Sequence, residues 1–447
     1  MEITRKRKLD TNTDTDGNLD LLSNLPRHII DCILNRLPIH DAVRTSVLSR
    51  KWRGNLATLQ HLDFGYPFYR TIRNAAENKG YYYKDHELKH EYERIITKIL
   101  CLHQGPLLKV TLYIRKFDSG IRRIPDTNLW IRLLSRNNIK ELILHYDELE
   151  PHSLPPRCFF SCLEYLTHLQ LRNLVLLPPP DFNGFRNLIA LEFVKVKFKD
   201  NVFECFLCGS PLLQKLILDN CSGIDPFKVS APNLESFELY AKRTRETICF
   251  DNVPKLVDVT IDTREMLVDH FARSCPLLEF LASLPKVTRL STNGEFLEFL
   301  AGDNLPLELP TTLEGLKYLI LDDLDFANFD EISCAVCLIR NAPNLKQLEI
   351  WACTTSSRAI TKWGYMAAES PFGCTLDKLR VVKIGCIAGF KPELELVQFL
   401  LVNSPFLEKI YIEPDYSLRE NKVALDMMME LIGCYRTSPR VDIILDT

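Results

Sequence analysis

Glycine is scarce in this chain, at 17 of 447 residues. The sequence contains no G-x-x-x-x-G-K-[ST], no G-x-G-x-x-G and no G-x-S-x-G. Phosphate-cradling loops and nucleophile elbows, which depend on such glycines, are therefore not expected. A surplus of one charge is missing too. The 55 basic and 58 acidic side chains leave a formal net charge of -3. That balance gives no general drive toward nucleic acid or an anionic membrane, and no nucleic-acid module is visible. No apolar run approaches the ~20 residues that span a bilayer. The first residues, MEITRKRKLD, lack the apolar core of a secretory signal.

What is present points to a globular chain. The chain is 46% apolar and 25% charged, enough to bury a core and stay in solution. Fifteen cysteines run from Cys32 to Cys434. Without an export signal, they imply a reducing compartment and free, mostly buried thiols. The C-x-x-C pairs Cys205/Cys208 and Cys334/Cys337 lie in apolar, helix-like stretches with no second pair at zinc spacing. They are expected to be core thiols. The cluster Arg5-Lys6-Arg7-Lys8 is the kind of basic run that can direct nuclear import. Residence in the nucleus and/or cytoplasm is the expectation.

The run HELKH, from His86 to His90, matches the zinc-protease pattern H-E-x-x-H. Its surroundings argue otherwise. Leu88, Tyr92, Ile95, Ile96 and Ile99 form an amphipathic stripe. His86, His90, Glu93 and Thr97 fall on the opposite, polar face. The extended motif wants a glycine where Glu93 stands and a third histidine where Ile96 stands. The reading is a solvated helix face, with no catalytic residue, no metal and no cofactor. A zinc hydrolase is the distant third functional alternative.

Residues 20–60 read as short helices. Pro26 suits a first helical turn. Ile29, Ile30, Ile33, Leu34 and Leu37 form one stripe, Pro38 stops the helix, and Asp41 can cap the next, lined by Val43, Val47 and Leu48. So small a unit cannot bury this apolar surface alone. It is either a helical cap on the following domain or a partner-docking module.

From about residue 105 the chain repeats L-x-x-L-x-L. Eleven runs begin at Leu107, Ile139, Leu166, Leu188, Leu213, Leu234, Leu256, Leu316, Leu345, Leu379 and Leu407, mostly 21 to 34 residues apart. A less regular unit is expected over 278–290. Pro211, Pro232, Pro254, Pro276, Pro343 and Pro405 stand two residues before an apolar position. The expected unit is helix, proline, short strand. One unit cannot bury its apolar face, but a stack can. The fold expected is α/β: a leucine-rich-repeat solenoid with a curved parallel sheet and helices outside.

The N-terminal residues carry a resemblance. Leu25-Pro26, Ile30, Ile33-Leu34, Leu37-Pro38, Ala42 to Ser49 and Trp52-Arg53 resemble an F-box, especially of the plant type. The basic pair Arg50-Lys51 is reversed from that wording, and Leu56 replaces its second tryptophan. The repeats are similar to those of plant F-box/LRR proteins. The end, LDKLRVVKIGCIAGFKPELELVQFLLVNSPFLEKIYI, looks like an FBD region. This implies a polar, basic tail over 1–19, a three-helix F-box over 20–60 and a linker and helix over 61–104. Repeats would fill 105–367 and FBD-like repeats 368–447.

The resemblance further implies a non-catalytic substrate receptor of an SCF-type (Skp–cullin–F-box) ubiquitin ligase. A Skp-type adaptor, and through it cullin and RING subunits, would be the partners, together with a protein target of unknown identity. Leu25, Pro26, Ile29, Ile30, Ile33, Leu37, Val43, Val47, Leu48 and Trp52 would form the adaptor face. The alternative is a repeat scaffold that uses its F-box without target turnover. In L-x-x-L-x-L the leucines point inward, so the intervening positions line the open face. Those positions include Asp258, Asp262, Tyr318, Asp322, Glu349, Trp351 and Tyr411. From residue 213 onward, seven acids stand against three lysines there. The expectation is a lysine/arginine-rich target segment, weighed against charges that only keep the sheet soluble.

Overall fold

The computed structural model describes residues 25–45, 58–78, 85–115, 127–147, 155, 157–199, 202–224, 227–242, 248–264, 276–284, 286–302, 309, 312–353, 375–416 and 433–445. The chain divides into two compact units, Met1–Leu107 and Leu108–Thr447.

In the first unit, Arg27–Leu34 and Ile39–Thr45 are short helices. Strand β1 (His61–Phe64) and the helices Tyr66–Glu77 and Asp85–Leu102 follow. Ile39–Thr45 packs on β1 and on Tyr66–Glu77. The core is aromatic: Phe64, Phe68, Tyr69 and Tyr92 meet with ring centroids 5.5 to 6.0 Å apart. The Tyr92 hydroxyl donates to the Phe64 carbonyl. The second helix starts at Ile39, so Asp41 lies in its first turn rather than capping it. The Pro38 carbonyl already accepts from the amides of Asp41 and Ala42 at 2.9 and 3.0 Å, so the helix begins at the proline.

The second unit is a parallel leucine-rich-repeat sheet. Its strands are β2 (Lys109–Arg115), β3 (Glu141–Asp147), β4 (His168–Arg172), β6 (Ala190–Val194), β8 (Lys215–Asp219) and β10 (Ser236–Ala241). They continue as β12 (Asp258–Thr263), β13 (Arg289–Asn293), β14 (Tyr318–Leu324), β15 (Gln347–Ala352), β16 (Val381–Ile387), β17 (Lys409–Pro414) and β18 (Asp442–Leu445). Short second strands β5 (Val175–Leu176) and β7 (Lys197–Phe198) pair with each other, as do β9 (Lys228–Ser230) and β11 (Cys249–Asp251). Neighbours along the main sheet pair in sequence and in parallel, with repeat leucines opposite repeat leucines: Leu216, Phe237, Val259, Leu290 and Leu319 form one buried row.

The repeat unit is less uniform than helix, proline, strand. Helices do occur, as in Thr127–Arg136, Val202–Cys208, Phe329–Arg340 and Lys391–Asn403. Among the described residues between β4 and β6, and from β8 to β12, the connections are turns and the two-to-three-residue strands just named. Those repeats are the shortest, and Pro178-Pro179-Pro180 bars a helix in one of them. Pro276 opens the helix Pro276–Ser283 instead of ending one, a position where its missing N–H costs nothing. The irregular 278–290 unit thus takes in the end of that helix and the start of a strand at Arg289.

Behind the sheet runs a buried phenylalanine chain. Phe206 stands 5.0 Å from Phe182 and 5.5 Å from Phe193, and Phe193 stands 5.1 Å from Phe198. Farther along, Phe237, Phe250, Phe280 and Phe296 continue at 5.2 to 6.3 Å. Two cysteine expectations are overturned: the thiols are not mostly buried, since only Cys334 and Cys337 of the thirteen described cysteines are, and the two C-x-x-C pairs are not alike. Cys334 and Cys337 are buried, but Cys205 and Cys208 are exposed, because their helix turns Val202, Phe203, Phe206 and Leu207 inward instead.

Candidate docking module and target-binding face

The docking module begins at Pro26, whose carbonyl accepts from the amides of Ile29 and Ile30 at 3.0 and 3.2 Å. That starts the helix Arg27–Leu34, which therefore splits its apolar residues between two faces. Ile30 (0% exposed) and Leu34 (1%) are buried with Ile39 and Ala42 inside the unit. Pro26 and Ile29 are exposed, and Leu25, Ile33 and Leu37 are half-buried. Ile30 thus anchors the helix to its own chain and offers nothing to a partner, contrary to the sequence expectation. Spacing alone could not separate 29 from 30, because both belong to one broad stripe. The Val43 side chain, Val47, Leu48 and Trp52 lie outside the described residues.

The HELKH run sits in the helix Asp85–Leu102. Leu88, Tyr92, Ile96 and Leu100 are its buried residues, and Ile95 and Ile99 are half-buried. His90 is exposed, with Nδ1 3.9 Å from Glu93; the His86 side chain lies outside the described residues. Lys89–Glu93 and Arg94–Glu91 ion pairs lie alongside at 3.7 and 2.7 Å. The Arg94 hydrogen bond holds the Glu91 carboxyl below its usual range. Among the described residues no group of three or more His, Cys, Asp or Glu could hold a metal ion.

The open face of the sheet is built by alternation. Strands β8, β10, β12 and β15 bury every second residue, and the positions between carry the polar side chains. Register then sets them in rows. One row reads Ser236, Asp258, Arg289, Tyr318, Gln347, Val381, Lys409. The next reads Glu238, Thr260, Ser291, Ile320, Glu349, Lys383, Tyr411. Asp262, Asp322 and Trp351 stand toward the C-terminal ends of their strands. The indole of Trp351 lies across Gly385 on the next strand, where a Cβ would collide with ring atoms Cε3 and Cζ3.

Cross-strand pairing redistributes the charge expected from the sequence. Lys215 meets Glu238 at 2.8 Å and Lys383 meets Glu349 at 3.3 Å. Two of the three lysines are thereby spent on two of the seven acids. Arg172 pairs with Glu192 at 3.2 Å in the earlier repeats. Of the five acids that remain, Asp262 and Asp322 stand at the exits of β12 and β14. Burial raises the pKa of Asp262, against the pull of Arg264 and with the push of Asp323. Burial raises Asp322 too, and Asp323, Asp262 and Glu349 add to it. Asp258 is raised by burial and partly relieved by Arg289. The Tyr240 phenol is pushed up to about 12 by burial and by Glu238.

Sequence reasoning missed the side chains that hold this face in shape. Buried Asn293 donates Nδ2–H to the Thr263 carbonyl at 2.5 Å, while its Oδ1 accepts from the Thr263 and Phe296 amides. Asn173 and Asn220 follow β4 and β8 directly and adopt left-handed φ of 57° and 50°. At the other strand end, Asn187, Asn233 and Asn344 each donate to a carbonyl of the preceding repeat at 2.8 to 2.9 Å. The signal was an asparagine directly before a repeat leucine (N-L) and directly after a strand.

Comparison with known proteins fits this geometry. The F-box domain family matches residues 22–54. The family described as "FBD-associated F-box protein At5g56370, LRR repeats" matches residues 127–350. F-box/FBD/LRR-repeat protein At1g13570 of Arabidopsis thaliana is 34% identical, over 95% of this chain and 98% of its own length. The Arabidopsis F-box/LRR-repeat protein At3g26922 is 28% identical over 61% of this chain and 90% of its own. Probable FBD-associated F-box protein At1g32375, also from Arabidopsis, is 22% identical over 96% and 100%.

Proposed function

Because this chain belongs to the family of F-box/FBD/LRR-repeat proteins, we propose that it is the substrate-recognition subunit of an SCF-type ubiquitin ligase. Its F-box docks a Skp-type adaptor, which connects it to cullin and RING subunits. Its repeat array holds a protein target for ubiquitination and proteasomal degradation. The chain performs no bond chemistry itself. It raises the effective concentration of target lysines near a ubiquitin-loaded partner. It works in the nucleus and/or the cytoplasm.

The observation that carries this reading is the apolar strip of exposed Pro26 and Ile29 with half-buried Leu25, Ile33 and Leu37, on and around a helix anchored from behind by Ile30 and Leu34. Such a strip, rimmed by polar groups, is what a docking helix presents. Interfaces of this kind concentrate energy in a few anchors, with truncation costing about 2 kcal/mol or more each. Leu25→Ala with Pro26→Ala, and separately Ile29→Ala with Ile33→Ala, should abolish capture of a co-expressed Skp-type adaptor. The helical circular dichroism should be retained. Undiminished capture by both double variants would sink the assignment. Adaptor capture without cullin association, and no change in target level on deletion, would favour the scaffold reading instead.

A further inference from the structure

The open face over β12 to β15 carries three features that converge. First, Asp262 and Asp322 lie on strands separated only by β13, about 10 Å apart at the backbone. The residue of β13 paired with Asp322 is Asn293, 2% exposed and committed to the Thr263 backbone. No side chain of β13 projects charge between the two carboxylates at that level.

Second, the chain's own Arg264 reaches toward this place without closing on it. Its guanidinium is 3.9 Å from both Asp262 and Asp323. That is ion-pair range but beyond hydrogen-bond length, and the Arg264 side chain is exposed. A planar cation therefore suits the site electrostatically, and the resident one is loosely held.

Third, an exposed aromatic stands beside the acids. Trp351 is on the strand adjacent to Asp322, and its exposed ring extends over Gly385 of β16, on the side away from Asp322. A cation and its methylene stem gain from lying on an indole face.

We propose that this half of the sheet binds an extended, arginine- or lysine-bearing segment of the target, with one cationic side chain between Asp262 and Asp322 and a second lying on Trp351. The inference rests on the reading of the array as the target-binding half. It narrows that reading to one chemistry and one place. The repeats β4 to β6 do not share the character, because Arg172 is already held by Glu192 and Lys195 stands exposed beside them.

The test uses the full chain co-expressed with its adaptor and three fluorescein-labelled peptides of about ten residues, long enough to cross these strands. One carries two arginines and a lysine among glycine and serine; one replaces them with glutamate; one is uncharged. Fluorescence anisotropy should show binding of the basic peptide only, weakening as salt rises. Asp322→Asn and Trp351→Ala should each weaken it by about fivefold or more. Arg264→Ala, which removes the resident competitor, should tighten it. Glu408→Ala, far along the sheet at the strand-entry side, should change nothing. Equal binding of the three peptides, preference for the acidic one, no binding at all, or indifference to both Asp322→Asn and Trp351→Ala would overturn the proposal. Adaptor capture is read in the same preparation. Lost capture with intact peptide binding condemns the ligase reading alone, and the reverse condemns this inference alone.

Discussion

A single buried carboxyl shows how the array stores charge in its interior. Glu331 is 5% exposed, at the third residue of the helix Phe329–Arg340. Its Oε2 accepts from the Asp325 amide at 2.8 Å, and its Oε1 accepts from the Asn328 amide group at 3.1 Å. A Cβ on Gly294 would collide with this carboxyl, so glycine there is what makes room for it. Burial, more than those hydrogen bonds can offset, raises its pKa from 4.5 to about 7. The folded state thus binds this proton more tightly than the unfolded chain does. Its stability contribution is full below about pH 4.5 and is lost as pH rises through about 7. The upper bound on that loss is about 3 kcal/mol by linkage. Glu331→Gln keeps an acceptor and removes the titration. Urea midpoints measured at pH 5 and pH 8 should fall for the natural protein and fall less for the variant. Parallel pH dependence of the two proteins would show that Glu331 does not titrate in this window.

At the scale of elements, the asparagines at the two strand ends are not equivalent. Asn233 donates to the Pro211 carbonyl and accepts from Lys255 Nζ, both at an exposed turn. Water can replace both partners, so Asn233→Ala should cost no more than about 1 kcal/mol. Asn293 caps its helix and satisfies both backbone groups of Thr263 inside the protein. Asn293→Ala removes a cap and strands buried polar groups, for a cost of about 2–4 kcal/mol. Equal losses in urea denaturation for the two variants would refute this ranking. The same contrast explains what the sequence made legible. L-x-x-L-x-L marks strands because alternation is local, and all eleven runs lead into strands of the sheet. β18 escaped because Val441 is its one buried lead residue and its own pattern is weak. The short strands β5, β7, β9 and β11 escaped because two or three residues carry no period. On the candidate face, which residues point outward was readable. Which of them cancel was not: Lys215–Glu238 and Lys383–Glu349 depend on register between strands more than twenty residues apart in sequence. Cys205 and Cys208 were misjudged for a related reason, since composition cannot say which face of a short helix turns inward.

At the scale of the whole molecule, the repeats divide the stability. Each repeat of the second unit pairs with its neighbours in the sheet, so its stability approximates a sum of local terms and nearest-neighbour terms. Phe206 is a place to measure that. It is fully buried and its ring lies 5.0 Å from Phe182, 6.0 Å from Phe185 and 5.5 Å from Phe193, so it joins the β6 repeat to the β8 repeat. Phe206→Ala should open a cavity there and cost about 3–5 kcal/mol. In hydrogen exchange, protection should fall most in β6 and β8 and fade toward β16 and β17, since disturbance in a quasi-linear array decays with distance. Adaptor capture, which we propose rests on Leu25, Pro26, Ile29 and Ile33 in the other unit, should be unchanged. A uniform loss of protection along the whole sheet would mean that the array unfolds as one cooperative block. Loss of adaptor capture would mean that the docking module draws its stability from the repeats.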